Sequence, residues 1–111
     1  MLFRSNIQEL LNRTDRFAAN AGCKITEVDT EHAVAEMVVT NSHLNGANVC
    51  QGGALFTLAD LAIAALMNAR GQLTVGISNS IMFVSSAKEG DRKSTRLNSS
   101  HIATSRMPSS A

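Results

Sequence analysis

Asp60 is the residue whose chemistry a purely structural account explains least. It interrupts a run of apolar side chains, Leu55, Phe56, Leu58, Ala59, Leu61, Ala62, Ile63, Ala65, Leu66 and Met67, at helical spacing between Ala54 and Arg70. No Lys or Arg lies one helical turn away on either side. Desolvating an unpaired carboxylate is costly, and the usual response is a raised pKa. Two readings are open: a carboxylate on a small exposed stripe with Thr57 and Ala64, or a general base or nucleophile tuned by its surroundings. Gly52-Gly53, at the head of the same run, supplies a complementary half. Glycines at a helix start let a substrate approach the backbone, and the free N–H groups there can stabilise a developing oxyanion.

Spacing limits how these halves cooperate. Asp60 lies eight residues beyond Gly52, a distance of about 12 Å along a helix rising ~1.5 Å per residue. An Asp side chain cannot bridge that gap. If both groups act on one carbonyl, the carboxylate comes most simply from a second copy of the chain, which implies a twofold dimer with shared sites.

The positioning elements can be read from periodicity. Ser5-Asn-Ile-Gln8 has the form of a capping box, and Ile7, Leu10, Leu11, Thr14, Phe17, Ala18 and Ala21 continue at helical spacing to Gly22. Lys24 to Asp29 and His32 to Thr40 read as a hairpin, with Ala33, Ala35, Met37 and Val39 on one face. An Asn- and Gly-rich loop spans Asn41 to Gly53. The helix from Ala54 to Arg70 has no broad polar face and should be buried. Thr74 to Val84 alternates again as a strand. The expected fold is α+β, an antiparallel sheet wrapped around a central helix.

Composition removes several function classes. Aromatics are 4% of the 111 residues and Trp and Tyr are absent, so base-stacking platforms for nucleic acid are missing. A net charge of +1 gives no electrostatic footprint for nucleic acid either. Cys23 and Cys50 belong to no CxxC pair, so neither a metal site nor a disulfide framework is expected. Uninterrupted apolar runs fall short of a membrane span, and charges run through Met1 to Arg16. The expectation is a soluble, cytosolic protein with no membrane or nucleic-acid partner. His32 and His43 read as strand-edge and loop histidines. Cys50 has no well-placed His to make it a nucleophile.

The charge average conceals a break. Up to Gly90 there are six basic and eight acidic side chains, whereas Asp91 to Ala111 holds four basic residues, one acid, six serines and the only proline. Composition alone makes residues 92–111 a disordered tail after a domain at 1–91. Asp91-Arg-Lys-Ser-Thr-Arg-Leu-Asn-Ser-Ser-His101 also resembles the translation of a common sequencing adapter, and Ser105-Arg-Met-Pro-Ser-Ser-Ala111 resembles its continuation. No function is therefore drawn from this stretch, His101 included.

Asn45-Gly-Ala-Asn-Val-Cys-Gln-Gly-Gly-Ala-Leu-Phe-Thr-Leu-Ala-Asp60, with Ile81-Met-Phe-Val-Ser-Ser-Ala-Lys-Glu-Gly90 behind it, resembles the hotdog-fold acyl-CoA thioesterases of the PaaI type. The resemblance covers roughly Phe17 to Asp91. It implies hydrolysis of an acyl-CoA, aromatic such as phenylacetyl or hydroxyphenylacetyl, or medium-chain, to free acid and CoA. It further implies a homodimer or homotetramer, a place in phenylacetate degradation, and no cofactor beyond the CoA of the substrate. The Gly52 amide would polarise the thioester carbonyl, Asp60 of the neighbouring subunit would activate water or attack, and Asn45 would position water or substrate. Gln51 and Gly53 would contact substrate, with no metal needed.

Two departures stand out. Gln51 occupies the place where this family commonly has His, and a Gln amide cannot change charge near neutral pH. The family also continues past Gly90-Asp91 with further antiparallel strands, which the adapter-like stretch replaces. The chain as written would then leave part of the helix uncovered and fold poorly. Two alternative functions share the fold: an acyl-CoA lyase or dehydratase, and a noncatalytic acyl-CoA-binding subunit. Dehydratases usually carry a catalytic His near the helix, which Gln51 does not supply.

Overall fold

The structure is a computed structural model, described for residues 7–71 and 85–98. The first helical period is divided into α1 (Ile7–Thr14) and α2 (Arg16–Asn20), instead of one helix running to Gly22. Asp15 causes the break: its side chain accepts from the Ala18 amide at 3.1 Å and caps α2. Ser5 and Asn6 of the expected capping box lie outside the described residues. Gly22, at φ +79°, then turns the chain into the sheet, a conformation that costs a side-chain-bearing residue strain.

The hairpin forms as read, with β1 (Lys24–Val28) antiparallel to β2 (His32–Val38) and a bulge between Ile25 and Glu27. Asp29 fastens the turn by accepting from the amides of Glu31 at 2.7 Å and His32 at 2.9 Å. These donors hold its carboxyl below the usual range. Ala33, Ala35, Met37 and Val39 are buried on the face predicted for them. On β1, Asn12 of α1 donates to the Ile25 carbonyl at 3.0 Å and accepts from the Ile25 amide at 2.8 Å.

α3 (Gly52–Ala69) starts two residues before the expected Ala54, so the glycine pair forms its first turn. It packs across β1, β2 and the third strand. Leu58, Leu61, Ala62, Ala65, Leu66 and Ala69 are buried against the sheet. Its 18 residues have a mean hydropathy of 1.5, so unlike the interrupted apolar run the whole helix does reach the length and composition of a membrane span. The core helix of a soluble domain has the same character. The expected strand at 74–84 lies outside the described residues.

The stretch expected to be a disordered tail begins with β3 (Arg92–Asn98), which adds to the sheet of the residues before it. β3 pairs antiparallel with β2 from Val38↔Arg92 to His32↔Asn98, giving a sheet ordered β1-β2-β3 among the described residues. The cause is a short alternation hidden by the polar composition: Lys93, Thr95 and Leu97 are partly buried while Arg92, Ser94 and Arg96 face outward. Leu97 joins the core, and Arg92 pairs with Glu36 at 3.0 Å. Backbone pairing is indifferent to side-chain identity, so a polar sequence can fill a strand position when a neighbouring edge is available.

Candidate active site at the head of the central helix

The loop before α3 is fixed at several points. A single turn of 3-10 helix, Asn41–His43, replaces irregular loop at its start. Asn45 organises the segment leading to the helix: its Oδ1 accepts from the amides of Ala47 at 2.9 Å and Val49 at 3.3 Å, and its own amide donates to the Val49 carbonyl. Cys50 donates its amide to Ala87 at 2.7 Å, and Gln51 donates to His43 at 2.7 Å. These two bonds orient Gln51 as the helix N-cap in an extended conformation (φ −60°, ψ 133°), with no hydrogen bond from its exposed side chain to the helix.

Gly52 and Gly53 thus occupy the first two helical positions, whose amides have no intrahelical acceptor. Neither has positive φ. A Cβ added at Gly53 would meet only the Gln51 Cγ at 3.9 Å. Gly52 lines a cavity of about 380 Å³ together with Val49, Cys50, Leu55, Ser85, Ser86 and Ala87. Unsatisfied amides at the positive end of a helix dipole, beside a space of ligand size, form an arrangement suited to a developing negative charge.

Two side chains of this loop that could act as nucleophile or base are held in other roles or kept protonated. His43 is buried, accepts from the Thr40 amide through Nδ1 at 2.9 Å and donates from Nε2 to the Ala21 carbonyl. It therefore clamps the loop to the end of α2. The Cys50 thiol lines the cavity, but burial pushes its pKa up, outweighing the opposing influence of Lys93, and its Sγ lies 3.6 Å from the Gln51 carbonyl. A protonated thiol is a poor nucleophile.

Asp60 is not buried within the helix packing, as the apolar run suggested, but exposed on one face of α3. It shares that face with Thr57 and Ala64, which are partly buried, so of the stripe considered in the sequence only Asp60 is fully exposed. Partial burial, followed by the negative charge of Asp15, nevertheless raises its pKa above the ordinary carboxylate value. Asp60 does not line the Gly52 cavity of its own chain. α3 is unbroken between the two residues, which fixes their separation at about 12 Å along the axis.

Of the residues singled out in the sequence, the fold gathers Gly52 and Gly53 at the helix head with Gln51 as its cap. It places Asn45 in the supporting loop and Asp60 more than two turns away. Sequence reasoning did not single out Ser85 and Ser86 as cavity residues. They follow an alternating segment, and among the described residues the Cys50–Ala87 hydrogen bond links that end to the helix head. Among the described residues, no cluster of His, Cys, Asp and Glu could hold a metal ion.

Comparison with known proteins gives this arrangement a family. Residues 47–107 match the model of the thioesterase superfamily. The chain is 39% identical over 77 residues to the acyl-coenzyme A thioesterase PaaI of Escherichia coli, covering 69% of this chain and 55% of that one. Its structure resembles that of the E. coli PaaI protein from the phenylacetic acid degradation operon, with a TM-score of 0.76, 31% identity, and coverage of 84% and 67%. A thioesterase-like protein of Streptococcus pneumoniae, solved with coenzyme A, matches with a TM-score of 0.68 and 26% identity over 77% of this chain and 69% of that one. The chain spans about half the length of the curated relatives it matches, 56% of one and 55% of another. The antiparallel sheet around a central helix is the hotdog architecture of these neighbours, with three strands among the described residues. On sequence and on fold alike, the chain belongs to the thioesterase superfamily.

Proposed function

We propose that this protein hydrolyses an acyl-CoA thioester to the free acid and CoA in sites shared between two copies of the chain. The observation that carries this reading is the placement of Gly52 in a cavity from which Asp60 of the same α3 is absent. In the proposed reaction the thioester carbonyl enters the cavity and its oxygen takes up negative charge facing the Gly52 amide. Asp60 of the second copy acts as general base for water or attacks the carbonyl carbon itself. With water as nucleophile the tetrahedral intermediate collapses to the acid with loss of the CoA thiolate, which takes the proton Asp60 removed; with direct attack, collapse leaves a mixed anhydride on Asp60 that water then hydrolyses. Gly53 lets the substrate approach the backbone, Gln51 contacts the thioester at the rim, and Asn45 holds the loop against which substrate and water are positioned. The relatives named as acyl-CoA thioesterase and solved with CoA support this substrate class, and the PaaI likeness favours aromatic or medium-chain acyl groups.

The test is release of free thiol from a panel of acyl-CoAs, followed by subunit mixing. Gly52→Pro and Asp60→Asn should each be inactive alone. In a mixed dimer, one site carries both lesions and the other neither, so an equal random mixture should regain about a quarter of wild-type activity. Absence of thiol release by the wild type rejects hydrolysis, and a mixture as inactive as its parents rejects the shared site.

A further inference from the structure

The face of α3 that carries Asp60 has a composition of its own. At 100° per residue, Gly53, Phe56, Thr57, Ile63, Ala64 and Met67 project within about 60° of Asp60. All but Met67, which is buried two turns after Asp60, are partly or fully exposed, whereas Leu58, Leu61, Ala62, Ala65 and Leu66, on the other side, are buried. Asp60 is the only charged residue on α3. The Thr57 hydroxyl is already spent on the Gly53 carbonyl at 2.8 Å. The carboxylate therefore stands in an apolar surround whose two bulky, accessible members are Phe56, one turn before it, and Ile63, nearly one turn after it.

We infer that Phe56 and Ile63 form the wall met by the acyl group and set the size of acyl group accepted. This inference rests on the shared-site reading. A carboxylate serving a thioester carbonyl in the second copy's cavity carries its own helix face with it. Side chains three and four residues away lie ~5–6 Å from it at Cβ, within reach of the acyl carbons that follow the carbonyl. Val49 and Leu55 of the receiving chain face the substrate from the cavity side. The acyl group is thus enclosed by apolar residues from both copies, a composition that favours an aliphatic or aromatic group over a polar one.

The experiment measures kcat/KM by thiol release with acetyl-CoA, octanoyl-CoA and phenylacetyl-CoA for the whole chain. Phe56→Ala and Ile63→Ala should each lower the octanoyl-to-acetyl and phenylacetyl-to-acetyl ratios by about tenfold or more, the scale at which a pocket registers lost apolar contact. Phe56→Trp, which fills the same space further, should move preference toward acetyl-CoA. Ratios unchanged in all three variants overturn the inference while leaving hydrolysis and the shared site standing. No thiol release by the wild-type chain instead overturns the hydrolase reading and this inference with it.

Discussion

The Gln51 amide donates to the His43 carbonyl at 2.7 Å, while the His43 ring joins the Thr40 amide to the Ala21 carbonyl. One residue thus ties the end of α2, the loop and the N-cap of α3 together. Replacing His43 with Ala preserves the backbone bond but leaves a donor and an acceptor without their partner. Both groups are only partly shielded from water, so each loss costs about 1 kcal/mol, the low end for an unpaired group. His43→Ala should lower the melting temperature by roughly 5–15 °C; a shift under a degree or two would mean that the clamp contributes little.

Gly52→Pro separates the amide from the helix that presents it. Proline is accepted at the first helical position, and Gln51 already has the extended backbone that a following proline requires. The helix should persist in circular dichroism while the donor is lost. Thiol release should fall by about 10²–10³-fold, the usual scale for removal of one oxyanion donor. Full activity in a folded Gly52→Pro variant would exclude that amide from the mechanism.

Asp60 acts in its ionised form under either mechanism, so the rate should climb with pH through an apparent pKa raised from the ordinary aspartate value. Asp15 disfavours that ionisation by like charge. Asp15→Asn keeps an oxygen to cap Ala18 and removes the repulsion, so the rising limb should move to lower pH. A pH–rate profile that stays in place or moves upward would dissociate Asp15 from Asp60.

Asn45→Asp retains the oxygen that accepts from Ala47 and Val49 and loses the amide donor. If Asn45 serves by shaping the loop, Asp should keep most of the activity, whereas Asn45→Ala should lower kcat/KM and cost about 1 kcal/mol of stability. Comparable losses in both variants would assign the work to the Asn45 amide group.

Deleting residues 92–111 removes the antiparallel partner of β2 and the Leu97 contact with the core. The shortened chain should lose soluble yield and elute as aggregates in size exclusion. A monodisperse product equal in yield to the 111-residue chain would show that β3 is dispensable.

Periodicity exposed much of this fold because the hairpin and the central helix bury contiguous, strongly apolar faces. Ala33, Ala35, Met37 and Val39 lie where alternation places them, and Leu58, Leu61, Ala62 and Ala65 follow from helical spacing. The break at Asp15 depends on one capping bond, a competition that apolar spacing does not register. β3 was hidden because its stability comes from an existing edge more than from its own residues. At the candidate site, Gly52 and Asp60 could be named from type and spacing. The exposure of Asp60 was one of two readings left open, because an apolar helix in a small sheet can leave one face partly uncovered. The cavity residues Ser85 and Ser86 also required tertiary structure.

Asn12 adds a property unrelated to chemistry. Its carboxamide occupies both backbone groups of Ile25 on the strand that borders the sheet among the described residues. A foreign strand seeking to extend the sheet there finds those ladder positions taken by a helix-borne side chain, and Asn12 acts as a stopper against edge-to-edge polymerisation.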